Sequence, residues 1–155
     1  MTSPPDEQND FDLVAPIYDA LAKLVFAGST FRAQRALLPH VRDRRTFLIV
    51  GGGTGWFLRE LFVHAPHARV LYIEKSPKML RYARELIERE APERAAQVEF
   101  RLGTEESLGA ADGLFDVVVT NFLLDNFADD TIARITQRLR AHLAPDGHWL
   151  FVDWE

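Results

Sequence analysis

The chain has 155 residues, 47% of them hydrophobic and 26% charged, which is enough apolar material for one folded core and excludes a disordered tail. Eighteen Lys+Arg against 23 Asp+Glu give a net charge of −5, which argues against a nucleic-acid duplex as the main partner. The absence of cysteine excludes a disulfide scaffold and any Cys-ligated zinc or iron–sulfur site. No stretch approaches 18 apolar residues, so no transmembrane segment is expected. The N-terminus lacks the basic start and apolar run of a secretory signal, and the expected location is cytoplasmic.

Residues 1–10, with Pro4, Pro5 and three acids, read as a flexible lead. From Phe11, Ile17, Leu21, Leu24 and Val25 recur at helical spacing; Gly28-Ser29 interrupts, and a second helix is expected from about Thr30 to Leu38, stopped by Pro39. Five strand-like runs follow: Thr46–Val50, Arg69–Ile73, Val98–Leu102, Phe115–Thr120 and Trp149–Asp153. Between them lie helical patterns. Ser76-Pro77 has the form of a helix N-cap and first turn, leading into the stripe Met79, Leu80, Ala83, Leu86 and Ile87. Asp129 or Asp130 is a candidate cap for a later helix carrying Ile132, Ile135, Leu139 and Leu143, and Pro145-Asp146-Gly147 is a turn signal that ends it. Strand and helix in alternation predict an α/β fold, a three-layer sandwich around a mainly parallel, doubly wound sheet, in one domain over residues 11–155.

The sharpest local signal is Leu48-Ile49-Val50-Gly51-Gly52-Gly53-Thr54-Gly55, an apolar strand running into glycines and then into a helix. In an open α/β sheet the ligand crevice lies beyond the carboxyl ends of the strands. Glycines there allow positive φ and let a ligand touch the backbone, and the N–H groups of the following helix attract a negative group. The bland alternative is a tight turn that only packs strand on helix. The dinucleotide pattern needs a third small residue at position 56, where Trp56 stands, and no phosphate loop ending in Gly-Lys-Ser/Thr is present. Glu74 ends the second strand run about 20 residues past the loop, where an acid reaches both hydroxyls of a bound ribose. Without the loop it would read as a solvated acid before a helix start.

These stretches resemble the class I S-adenosylmethionine-dependent methyltransferases. The residues that carry the resemblance are LIVGGGTG (48–55), LYIEKSPKML (71–80), VEFRLGTEESL (98–108), FDVVVTNFLLDNF (115–127) and LAPDGHWLFVD (143–153), in the family's order and spacing. The segment FDLVAPIYDALAKLVF (11–26) is similar to the lead helix of small-molecule methyltransferases, including those of quinone biosynthesis. The resemblance implies that Gly51, Gly52, Gly53, Thr54 and Gly55 hold the methionine end of S-adenosylmethionine. It implies that Glu74, with Lys75 beside it, binds the ribose, and that Gly103, Thr104 and Glu105 bracket the adenine, with Met79 nearby. Asn121 and Phe122 would line the methionine and the substrate, and Tyr18 would close over the cofactor. The implied activity is methyl transfer to a small, apolar or lipid-like acceptor, with S-adenosylhomocysteine as product. The alternatives are a non-catalytic or partner-dependent cofactor-binding module, and a nicotinamide-dependent oxidoreductase, against which Trp56 argues.

The chain departs from the family in three places. Ile49 stands where the family usually has an acid, and Thr104 where the adenine loop often has one. The family's sheet normally continues beyond a fifth strand, so a fragment is expected, or a partner or second copy covering that strand's edge. In-line transfer from a sulfonium needs alignment more than a base, and no catalytic side chain is named from the sequence. Asp125 is a candidate base or orienting group, with a capping or solvated acid as the plainer reading. His64 and His67 have no carboxylate beside them, and no metal site is expected. Arg42, Arg44 and Arg45 read as a solvated basic loop.

Overall fold

A computed structural model describes residues 28–153. Tyr18, the expected lead over residues 1–10 and the apolar stripe at 17–25 lie outside the described residues. The chain divides at Ala33/Gln34, and the sheet belongs to the unit Gln34–Glu155.

Five strands form one parallel sheet in the order β3-β2-β1-β4-β5: β1 (Thr46–Val50), β2 (Arg69–Glu74), β3 (Val98–Leu102), β4 (Phe115–Val119) and β5 (Leu143–Leu150). The helices are α1, described over residues 28–37, α2 (Trp56–His64), α3 (Pro77–Glu90) and α4 (Asp129–Ala141). β1, β2 and β4 carry apolar runs over residues 47–50, 70–73 and 117–119 because both faces are covered there. Side chains alternate across the sheet. Phe47 and Ile49, Val70 and Tyr72, and Val117 and Val119 pack with α2 and α3. Leu48 and Val50, Leu71 and Ile73, and Val118 pack with Ile135 and Leu139 of α4. Burying such side chains contributes roughly 1.5–3 kcal/mol each.

β3 is an edge strand and shows the expected two faces. Phe100 turns inward, its ring centroid 5.5 Å from that of Tyr72. Arg101 turns outward to Glu99 and Asp112, both reached at 2.7 Å. Asp112 also accepts from the Gly109 amide at 2.8 Å. The hydrogen bond from Arg101, followed by that amide, holds the Asp112 carboxyl down to about 2. At the strands' amino ends Asp116 Oδ2 accepts from the amides of Arg45 and Thr46, at 2.9 and 3.0 Å. Burial alone would push its carboxyl up, and these bonds leave it below its usual value.

Several expectations need correction. The helix expected from about Thr30 already includes Gly28 and Ser29, and α1 tightens at Leu38–Val41 into a 3₁₀ turn that accommodates Pro39 in its first turn. Ser76 does cap α3, accepting from Met79 N at 3.3 Å. Asp129 and Asp130 do not cap α4. The cap position is Ala128, and both acids sit in the first turn, where the helix dipole favours them. The last strand is Leu143–Leu150, not Trp149–Asp153. Leu143 already pairs with Phe115, and the register shifts before His148 meets Val117. Pro145-Asp146-Gly147 is absorbed in that irregularity, where a proline lacking its N–H is tolerated.

Candidate functional site

The loop between β1 and α2 turns through left-handed backbone at alternate positions: φ is 69° at Gly51, 64° at Gly53 and 88° at Gly55. A side chain there costs roughly 1–2 kcal/mol in conformation alone. Gly51 and Gly55 are also pressed from outside. A Cβ on Gly51 would lie 2.8 Å from Leu123 Cδ1, and one on Gly55 2.8 Å from Ala83 Cα. Gly52 has no positive φ; a Cβ there would overlap the Tyr72 ring. Only Gly53 of the four faces open space.

Three bonds tie this loop to β2. Gly51 N–H donates to Ile73 O at 2.9 Å. Gly53 N–H donates to Glu74 Oε2 at 2.9 Å, and the Tyr72 hydroxyl donates to Gly53 O at 2.9 Å. Burial pushes the Tyr72 phenol far up, the Glu74 charge adds to this, and the Gly55 backbone opposes it. Glu74 Oε1 accepts from Ser76 N–H at 2.8 Å. The carboxylate is thus 7% exposed, with one amide on each oxygen and lone pairs to spare. Gly103, after β3, donates its N–H to Glu74 O at 3.0 Å, which brings the third loop alongside.

These ends enclose a cavity of about 210 Å³. Of the residues expected from sequence, Gly51, Glu74, Lys75, Gly103, Thr104, Glu105 and Phe122 line it. Gly53 joins it through Glu74. Gly52 and Gly55 turn against Tyr72 and Ala83, Thr54 is exposed, and Met79 is 37% exposed on α3. Asn121 is not on this wall; its Nδ2 donates to Gln34 Oε1 at 3.3 Å, and its Oδ1 is buried without a partner. Asp125 is exposed and accepts from Asn126 Nδ2 at 2.9 Å. Val50, Leu123, Asn126 and Phe127 also line the cavity without a sequence signal for it, and the support from Tyr72 is likewise unexpected.

The segment after β4 is held in an unusual shape. Phe122 has φ 54°, the one left-handed non-glycine among the described residues. Its N–H donates to Val152 O at 2.6 Å, and its carbonyl accepts from Asn126 Nδ2 at 3.0 Å. Behind it Thr120 is wholly buried and accepts from Trp149 Nε1 at 2.9 Å. Asp153 lies at the same place. Burial and then Asp125 push its carboxyl up, against the backbone amides of Leu123, Phe122 and Leu124.

Glycine loop, terminal acid of β2 and the loops after β3 and β4 therefore converge at the carboxyl ends of a parallel sheet. Residues 47–147 match the family described as "Methyltransferase domain". The chain belongs to this methyltransferase domain family. A curated relative, the demethylmenaquinone methyltransferase of Deinococcus radiodurans, is 32% identical over 126 residues, which are 80% of this chain and 51% of that protein. The chain thus spans about half the length of the curated relative it matches. Among solved structures, the DhpI–SAH complex superposes with a TM-score of 0.68 at 27% identity, covering 91% of this chain and 64% of that one. The mitomycin 7-O-methyltransferase MmcR superposes with a TM-score of 0.69 at 22% identity, covering 95% of this chain and 43% of that one, which shows the shared fold. This methyltransferase domain has, among its described residues, no helix long and apolar enough to cross a membrane.

Proposed function

We propose that the chain binds S-adenosylmethionine between the glycine loop and Glu74 and serves methyl transfer to a small, apolar acceptor. The observation that carries this reading is the Glu74 carboxylate: buried beside the cavity, its two oxygens fixed by Gly53 and Ser76 amides, with lone pairs left for two adjacent hydroxyls. The residues fit the group in three further ways. Gly53 offers open space against bare backbone. The N-cap of α2 is Gly55, with no side-chain cap, and a helix start of this kind favours a carboxylate. Asn121 follows β4, two residues after Val119, the ladder partner of Ile49, and carries an orphaned buried oxygen suited to an ammonium. Ile49 itself is 2% exposed in the apolar core and supplies no charge there.

Bound S-adenosylmethionine would supply an activated methyl group and a neutral thioether leaving group. In this reading Glu74 holds the ribose, Lys75 flanks it, and Gly103, Thr104 and Glu105 bracket the adenine. Gly51 to Gly55, Thr54 included, hold the methionine end with Asn121. Phe122, Leu123 and Phe127 give the cavity an apolar wall, which favours an apolar acceptor. The relative named for demethylmenaquinone supports that acceptor class. Tyr18 and Met79 remain proposed contributors at the cofactor's edge, and residues 11–155 the proposed domain.

Calorimetric titration with S-adenosylmethionine and S-adenosylhomocysteine tests the reading, with the nicotinamide dinucleotide as control. Saturable one-to-one binding of both, and none of the dinucleotide, is expected. Incubation with demethylated naphthoquinones then tests the acceptor class. A folded chain that binds neither sulfur compound would refute the cofactor assignment.

A further inference from the structure

Tyr72 is wholly buried in the middle of β2, on the sheet face it shares with Val70, Ile49 and Val119, all aliphatic. Phenylalanine would fill the same volume there. A buried phenol needs a partner, and this one finds it in the glycine loop, donating to Gly53 O. The Gly55 backbone acts on the same oxygen. Tyr72 and Glu74 are two residues apart on one strand, so both side chains rise on the same face toward that loop. Gly53 is consequently held from both sides: its carbonyl by Tyr72 and its N–H by Glu74 Oε2, each at 2.9 Å. The ring also explains Gly52. That residue needs no left-handed backbone, yet any Cβ there would collide with Tyr72. The ring is in turn seated against Phe100, tilted by 59°.

Resting on the cofactor reading above, we infer that Tyr72 is a positioning residue of the cofactor site: its hydroxyl fixes the Gly53 peptide and, through the Gly53 amide, the orientation of the Glu74 carboxylate. Of the two amides that aim Glu74, the Ser76 one belongs to its own strand's exit and is set locally. The Gly53 one comes from a glycine at φ 64° with no side-chain contacts of its own. The phenol is what removes that glycine's freedom. The inference concerns pre-organisation of the ribose site, so it shows in affinity as well as in stability.

Tyr72→Phe removes the oxygen and keeps the ring. S-adenosylhomocysteine should bind about three- to tenfold more weakly, the equivalent of one hydrogen bond, and the melting temperature should fall by only a few degrees. In a Glu74→Gln background the same replacement should add less than about a twofold loss, because both changes act on one contact. Affinity equal to wild type, or the same loss in both backgrounds, overturns the inference. Amide exchange in the unliganded protein reads the contact independently of any ligand. The Gly53 amide should be protected in the wild type and exchange faster in Tyr72→Phe; an unprotected Gly53 amide in the wild type overturns the inference even if the variant does not fold. A wild-type protein that fails to bind S-adenosylhomocysteine while Gly53 is protected refutes the cofactor reading instead.

Discussion

Replacing Glu74 by glutamine should cost stability as well as affinity, and the two costs have different origins. The carboxylate offers an acceptor to Gly53 N–H on one oxygen and to Ser76 N–H on the other. A carboxamide can keep only one of these bonds. Its NH₂ group must then face the other amide, donor against donor, at a site that is 7% exposed. A buried donor left without a partner costs about 1–3 kcal/mol. With a urea dependence of about 1–3 kcal/mol per molar, a loss near the middle of that range lowers the unfolding midpoint by roughly 1 M. Binding suffers separately, because a neutral amide cannot accept from two ribose hydroxyls. Charge-assisted bonds of about 1.5–3 kcal/mol correspond to roughly a 10- to 150-fold weaker affinity for S-adenosylhomocysteine. Urea unfolding of the unliganded variant and calorimetry on the folded variant separate the two. An unchanged midpoint would refute the double amide clamp, and an unchanged affinity would refute the ribose role.

The glycines of the loop should differ in their tolerance. Gly53→Ala meets open space and should cost about 1–2 kcal/mol of backbone strain; Gly55→Ala adds a collision with the Ala83 backbone and should cost about 2–5 kcal/mol. Urea midpoints in which Gly55→Ala is the milder change would refute this ordering. Asp112→Asn should lower stability by about 1–2 kcal/mol at neutral pH, since Arg101 and the Gly109 amide depress the carboxyl to about 2. The folded carboxyl lies below its unfolded value, so its contribution is complete above about pH 4 and is lost as the pH falls toward 2. Urea titrations of both proteins at pH 7 and pH 3 should therefore show a gap roughly half as large at the lower value, and an equal gap at both would refute the assignment. Trp149→Phe deletes the bond to the buried Thr120 hydroxyl and should cost about 1 kcal/mol, read from the same unfolding curves.

The central strands are legible because burial on both faces leaves apolar runs through the middle of β1, β2 and β4, with polar residues only toward their ends. The edge strands were legible only as far as their surroundings were simple. β3 alternates as an edge strand should, with Phe100 inward and Glu99 and Arg101 outward. β5 was misplaced because Pro145-Asp146-Gly147 has the composition of a turn. Nothing local says that Leu143, on the far side of it, already pairs with Phe115. The α4 cap failed for a related reason. A carboxylate at a helix start is favourable both as a cap and within the first turn, and composition alone does not separate the two.

Within the site, the sequence carried what is local and lost what is long-range. The alternating glycines 51, 53 and 55 mark left-handed backbone, and the acid closing β2 marks the ligand side of the sheet; both facts belong to a few consecutive residues. What Gly52 and Gly55 must avoid, by contrast, is set by Tyr72 and Ala83, and the wall made by Leu123, Asn126 and Phe127 depends on how the chain turns after β4. Tyr72 did carry a trace, a hydroxyl in an otherwise aliphatic run two residues before the acid. Phe122 carried none. A bulky aromatic residue does not favour φ 54°, so the backbone there is held by its surroundings, by Val152 on the N–H and by Asn126 on the carbonyl. Such a conformation stores roughly 1–3 kcal/mol. It sits on the wall of the cavity that Glu74 also lines, and what the strain secures is the position of Phe122 on that wall and of Leu123 against Gly51 of the glycine loop.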